Sequence, residues 1–151
     1  MALADDIALF SRAPLFAGLA DDKLRLLAFG AERRQLVEGQ TLFREGTSAD
    51  CGFIVASGLF RLTGTLRDGS LREEGTAGEG TLLSELAMIS AVERKYTATA
   101  LEDSEVIRIN RPLFRRMMEE YPEVAVLVDA RIRQNIAAMV AGMRGLSGRF
   151  A

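Results

Sequence analysis

The chain of 151 residues has no histidine, a single cysteine and only three prolines. Without histidine, Ser-His-Asp and Cys-His catalysis are excluded, and so are the usual histidine-rich metal sites. One cysteine, Cys51, rules out an intrachain disulfide and fits a reducing compartment. No apolar run approaches the ~20 residues that a membrane-spanning helix needs. The first residues, Met-Ala-Leu-Ala-Asp-Asp, carry no basic cluster ahead of an apolar stretch, unlike a secretory signal. A cytoplasmic address is therefore expected. Charge of one sign is also missing: 19 basic and 21 acidic residues leave a net charge of -2. That balance argues against nucleic acid or an anionic membrane as the main partner. Only Lys23 and Lys95 are lysines.

What is present is an ordinary globular composition, 48% hydrophobic and 26% charged. A chain of this length makes one domain and buries roughly 68–70% of its unfolded surface. Its texture changes twice. Residues 1–30 read as helical, with Asp5 and Asp6 before Ile7, Leu9 and Phe10, an interruption at Pro14 and Gly18, and Asp21-Asp22 capping a second helix. Residues 31–110 read as short strands between glycine turns. Phe53–Val55, Leu59–Leu62, Thr97–Leu101 and Glu105–Ile109 are strand candidates, and Arg67-Asp68-Gly69-Ser70 is a hairpin turn. Short strands at regular spacing suggest a sandwich or barrel. Residues 111–145 return to helix. Pro112 suits a first turn, and Tyr121-Pro122 separates a short helix from a long one. Val124, Val128, Ile132, Ile136, Met139 and Met143 then form an apolar stripe over about five turns, expected to serve core packing and dimer contact. Residues 146–151 are a tail expected to fray.

Inside the strand region, Ser84–Ile89 lacks strand alternation and predicts about one turn of helix. Glycines precede it and allow close backbone approach. The opening of a helix offers unpaired N–H groups to an anion. Nine residues beyond Glu85 stands Arg94, whose guanidinium suits a phosphate. A carboxylate, an acceptor only, suits a sugar hydroxyl. Together they describe a nucleotide monophosphate pocket. The plainer account makes Ser84 a helix N-cap and Glu85–Arg94 an internal ion pair. Cys51 then reads as a small buried hydrophobe and Arg131 and Arg133 as a solvated face. Gln134 and Asn135 are of a type to reach a base edge, but nothing in the sequence singles them out.

The stretch Gly80–Ala100, with Ser84-Glu85-Leu86-Ala87 and Arg94-Lys95-Tyr96-Thr97, resembles the phosphate-binding cassette of cyclic nucleotide-binding domains. Val37–Gly46, Gly52–Leu62 and Ile107–Phe114 resemble further segments of the same family, so the likeness covers nearly the whole chain. It implies a mainly β fold with flanking helices. The core would be an eight-stranded antiparallel jelly-roll (a double-stranded β-helix) over 31–110 containing the phosphate-binding cassette (80–100) with its short helix, flanked by N-terminal helices and two C-terminal hinge and lid helices. It implies that Glu85 takes the ribose 2′-hydroxyl and Arg94 the cyclic phosphate. Backbone N–H groups near Leu86, Ala87 and Lys95 would assist, and the long last helix would close over the base. The cassette positions carried over are Ser84, Glu85, Leu86, Ala87, Arg94, Lys95 and Tyr96.

Three departures stand out. Ser84 replaces a glycine; if the backbone is left-handed there, serine costs about 1 kcal/mol. Glu93 replaces a proline and sets a negative charge beside Arg94. Lys95 and Tyr96 replace small residues, and the serine or threonine associated with cGMP is absent, which favours cAMP. The expectation is a stand-alone, non-enzymatic bacterial-type sensor that binds cAMP or cGMP, without a metal. It would signal to a protein partner or a homodimer through the 122–145 helix. About a dozen residues follow Met139, too few for a helix-turn-helix. The alternative is a degenerate, ligand-free dimerisation or interaction module.

Overall fold

The computed structural model describes the backbone of residues 3–150 and the side chains of residues 4–135 and Ala137. The chain opens with α1 (Leu3–Arg12), a 3-10 turn (Pro14–Phe16) and α2 (Asp21–Gly30). Asp5 and Asp6 start α1 and Arg12 ends it, which complements the helix dipole. Asp21 and Asp22 sit inside the first turn of α2 rather than at its cap, which is Ala20. Gly30 is the last residue of α2, and α3 passes close by it. A Cβ at Gly30 would lie 2.6 Å from a methyl of Leu113.

Ten strands follow among the described residues: β1 (Glu32–Leu36), β2 (Thr41–Phe43), β3 (Ser48–Ala49), β4 (Cys51–Ser57), β5 (Leu59–Thr65), β6 (Leu71–Gly78), β7 (Leu82–Leu83), β8 (Val92–Glu93), β9 (Thr97–Ala100) and β10 (Ser104–Asn110). A 3-10 turn, Glu85–Met88, lies between β7 and β8. The chain ends in α3 (Arg111–Glu120) and α4 (Pro122–Phe150). The Asn110 side chain accepts from the Leu113 N–H at 2.8 Å and caps α3, with Pro112 in the first turn. Helix α4 runs through the segment expected to fray, to Phe150.

The expected eight-stranded jelly-roll is not what forms. The strands make three open sheets, ordered β1-β10-β4-β7, β2-β9-β5-β6 and β3-β8. No sheet closes on itself. The physical reason lies in the linking strands: β3, β7 and β8 have two residues each and β2 three. Ladders that short cannot carry pairing from one four-stranded sheet round to the other. Register shifts at Thr41/Phe43 and Glu105/Val106 interrupt it further. The four α-helices also hold more residues than the ten strands, so the fold is mixed α/β rather than mainly β.

The core has two parts. Between the four-stranded sheets lie Leu36, Phe43, Cys51, Phe53, Val55, Phe60, Ala98 and Val106. On the other face of β4 and β10, Ile54, Ile107 and Ile109 meet Phe10, Phe16, Leu24, Phe114 and Met117 from the helices. Both faces of β4 are thus covered, which is why Cys51–Val55 is a continuous buried run. Val124, Val128 and Ile132 of the predicted stripe face this helical core. The side chains of Ile136, Met139 and Met143 lie outside the described residues. Arg131, expected on a solvated face, instead donates to the carbonyl of Leu15 at 3.0 Å and ties α4 to the first 3-10 turn.

Candidate functional site

A cavity of about 720 Å³ opens between the second 3-10 turn, the α1 end and α4. One wall is the turn itself, with Ser84, Glu85, Leu86 and Ala87. Glu93, Lys95 and Tyr96 form the facing wall. Arg12, Pro14 and Leu15 close one side, and Asn135 reaches in from α4.

Ser84 sets the direction of the first wall. Its backbone is left-handed, φ 62 and ψ 45, and it is the one non-glycine with positive φ among the described residues. Its side chain makes no cap hydrogen bond, so the N-cap account of this serine does not hold. The Ala87 N–H donates to the Ser84 carbonyl at 3.1 Å and closes the turn. Tyr96 meets Ser84 from across the cavity. Burial pushes the Tyr96 phenol up, against a lowering by hydrogen bonding to Ser84.

Glu85 is half-buried, and its carboxylate accepts from Asn135 Nδ2 at 3.0 Å. This bond links the turn to α4. A second link runs to α3: Arg111 donates to the carbonyls of Ala87 (3.1 Å), Ser90 (3.0 Å) and Ala49 (2.8 Å). The rim is pinned by the Arg12–Glu79 ion pair at 2.8 Å. Beside it Gly80 has φ +88, and a Cβ there would lie 3.3 Å from Arg12 Nε.

Six of the seven predicted residues line this cavity, and Arg94 does not. Its side chain turns into the core and is 6% exposed. Nη1 donates to the Cys51 carbonyl at 2.9 Å and Nη2 to Cys51 Sγ at 3.2 Å. The guanidinium stands over the Phe43 ring at 4.5 Å and the Phe53 ring at 5.4 Å. No Glu85–Arg94 ion pair forms among the described residues. The ionisable lining is thus Arg12 and Lys95 against Glu79, Glu85 and Glu93, a net negative wall. Arg12, Glu79, Pro14 and Leu15 were not visible as site residues in the sequence, because only the packing of α1 brings them to the cassette. Nor was the aromatic pocket that holds Arg94.

No helix of the described residues is long and apolar enough to cross a membrane. Among those residues no cluster of three His, Cys, Asp or Glu stands ready for a metal.

The cyclic nucleotide-binding domain family matches residues 33–121. The solved cyclic nucleotide-binding-like protein of Brucella abortus is 43% identical, with a TM-score of 0.68, over 76% of this chain and 98% of that one. The N-terminal domain of a transcriptional regulator from Streptomyces coelicolor superposes with a TM-score of 0.81 at 27% identity, covering 89% and 94% of the two chains. The cyclic AMP receptor protein of Thermus thermophilus is 31% identical over 128 residues, 85% of this chain and 56% of that protein. Lysophospholipase NTE1 of Chaetomium globosum is 26% identical over 149 residues. The chain spans 10% of that protein's length. The related structures are non-catalytic regulatory domains, and this domain is of that non-enzymatic kind. The matched segment runs from β1 to the end of α3 and contains the Ser84–Tyr96 walls, so the chain belongs to the cyclic nucleotide-binding domain family.

Proposed function

We propose that the domain is a cyclic nucleotide sensor, with cAMP preferred to cGMP. One observation carries the reading: the predicted cassette residues Ser84–Ala87, Lys95 and Tyr96 surround a single cavity of about 720 Å³. That is within the range of about 300–1,000 Å³ usual for small-molecule sites. The donor set fits the ligand. Glu85 is an acceptor for a ribose hydroxyl, and Lys95 adds a cation for a phosphate. Arg94, anchored in the same wall, supplies the second cation when its side chain turns outward. The preference for cAMP rests on Lys95, which stands where a hydroxyl residue would favour cGMP.

Binding would displace Asn135 from Glu85 and load the Arg111 contacts, passing the signal to α3 and α4. Val126, 74% exposed on α4, is an apolar contact for a second copy or a protein partner. A dimer by light scattering is expected; a monomer at all concentrations removes the homodimer.

The test is calorimetry on nucleotide-stripped protein with cAMP and cGMP. Micromolar or tighter affinity for cAMP is expected, with cGMP weaker. Glu85→Ala is expected to weaken cAMP about 10- to 100-fold, the worth of a hydrogen bond to a charged group. The second reading, an interaction module without ligand, is favoured by the net negative wall and the engaged Arg94. No heat and no thermal shift at millimolar nucleotide would select it.

A further inference from the structure

We infer that Arg94 is parked in an aromatic cage when the cavity is empty, and that Phe43 thereby sets the ligand affinity of a cavity it does not line. The inference rests on the cyclic nucleotide reading above.

The backbone of Arg94 runs between two residues of the cavity wall. Its chain neighbours Glu93 and Lys95 both line the cavity. Its N–H donates to the Thr47 carbonyl at 2.8 Å, and its carbonyl accepts from the Gly46 N–H at 2.8 Å. Only the side chain faces away. There the charge is met by one carbonyl, one thiol sulfur and two ring faces. Among the described residues no carboxylate pairs with it. A buried cation without an anion is poorly compensated, because ring quadrupoles and a neutral carbonyl replace its lost hydration only in part. The cavity has the opposite shortage, since three carboxylates face two cations. An entering phosphate supplies the anion that Arg94 lacks, and Arg94 supplies the cation that the wall lacks. Two parallel charge-assisted hydrogen bonds then outweigh the cage.

The cage is joined to the cavity. Phe43 stacks on Phe53 at 5.9 Å and meets the Tyr96 ring at 5.5 Å. Tyr96 in turn reaches Ser84. Departure of Arg94 therefore loosens the packing that supports the Ser84 turn.

If the outward rotamer is a minor population, the apparent dissociation constant is raised by that fraction, and weakening the cage tightens binding. Phe43→Leu removes one ring face and is expected to tighten cAMP binding about 3- to 10-fold. Cys51→Ser offers Nη2 a stronger acceptor and is expected to weaken it a few-fold. Packing damage cannot produce the first result. Phe43→Met keeps volume without a ring face and carries the same expectation where the leucine variant does not fold.

The measurement is cAMP calorimetry on the wild type and these variants, each with a thermal melt. Tighter binding by Phe43→Leu or Phe43→Met supports the cage, as does a silent wild type whose Phe43 variant binds. A wild type that binds, with folded Phe43 variants no tighter, overturns the cage and leaves the sensor reading standing. Silence of the wild type and all folded variants overturns both.

Discussion

Replacing Arg94 with alanine is expected to reduce cAMP affinity roughly 30-fold or more in calorimetry. The argument is one of charge. Without Arg94 the cavity offers Arg12 and Lys95 against Glu79, Glu85 and Glu93, and Arg12 is already paired with Glu79. A cyclic phosphate would then enter a net negative wall. Truncating one partner of a desolvated, hydrogen-bonded charge pair costs about 2–5 kcal/mol, which covers the stated factor. Arg94→Lys keeps the charge but loses the bidentate fork, so it should fall between alanine and the wild type. A folded Arg94→Ala protein with wild-type affinity would mean that the guanidinium is a core element and nothing more.

Gly58→Ala is expected to produce the largest loss of stability. Gly58 turns the chain from β4 into β5 with φ +93, a conformation that costs an L-residue about 1–2 kcal/mol. The added Cβ would also lie 2.0 Å from Ser104 Oγ and 2.7 Å from the Ser104 Cα. The second contact is backbone, so a side-chain rotation does not relieve it. Ser104 begins β10, which is held between β1 and β4 and does not move freely. Its hydroxyl also accepts from the Leu59 N–H at 3.2 Å and donates to the Glu102 carbonyl at 2.8 Å. Strain and overpacking together amount to about 3 kcal/mol. For a domain of this size that lowers the melting temperature by about 10 °C. A melt within 2 °C or so of the wild type would show that the β4–β5 turn rearranges without effect on the sheet.

Much of the local structure was legible. Apolar spacing, Pro112 and the glycine turns marked α3, the start of α4 and strands β4, β5, β9 and β10 close to where they lie. These signals are local, since capping, turn conformation and periodic burial act within a few residues. The expected turn of helix at Ser84–Ile89 is the 3-10 turn at Glu85–Met88. The glycine missing at Ser84 marked a position whose backbone is indeed left-handed.

The sheet arrangement and the charge of the site were not legible in the same way. A strand segment does not state which partner it pairs with, or whether two-residue strands such as β7 and β8 suffice to close a roll. Tertiary packing decided on three open sheets, because pairing is settled between segments far apart in the chain. The spacing of Glu85 and Arg94 placed both in one cassette, and there its reach ended. Arg94 faces away from the cavity because Phe43, Phe53 and Cys51, from β2 and β4, form a pocket behind the wall that no local pattern announces. Arg12 and Asn135 join the cavity from opposite ends of the chain for the same reason. By itself the sequence determined composition, helix and turn positions and the family, all carried by short-range pattern. Only the tertiary structure decided the direction of each charged side chain, because that depends on neighbours brought together by folding.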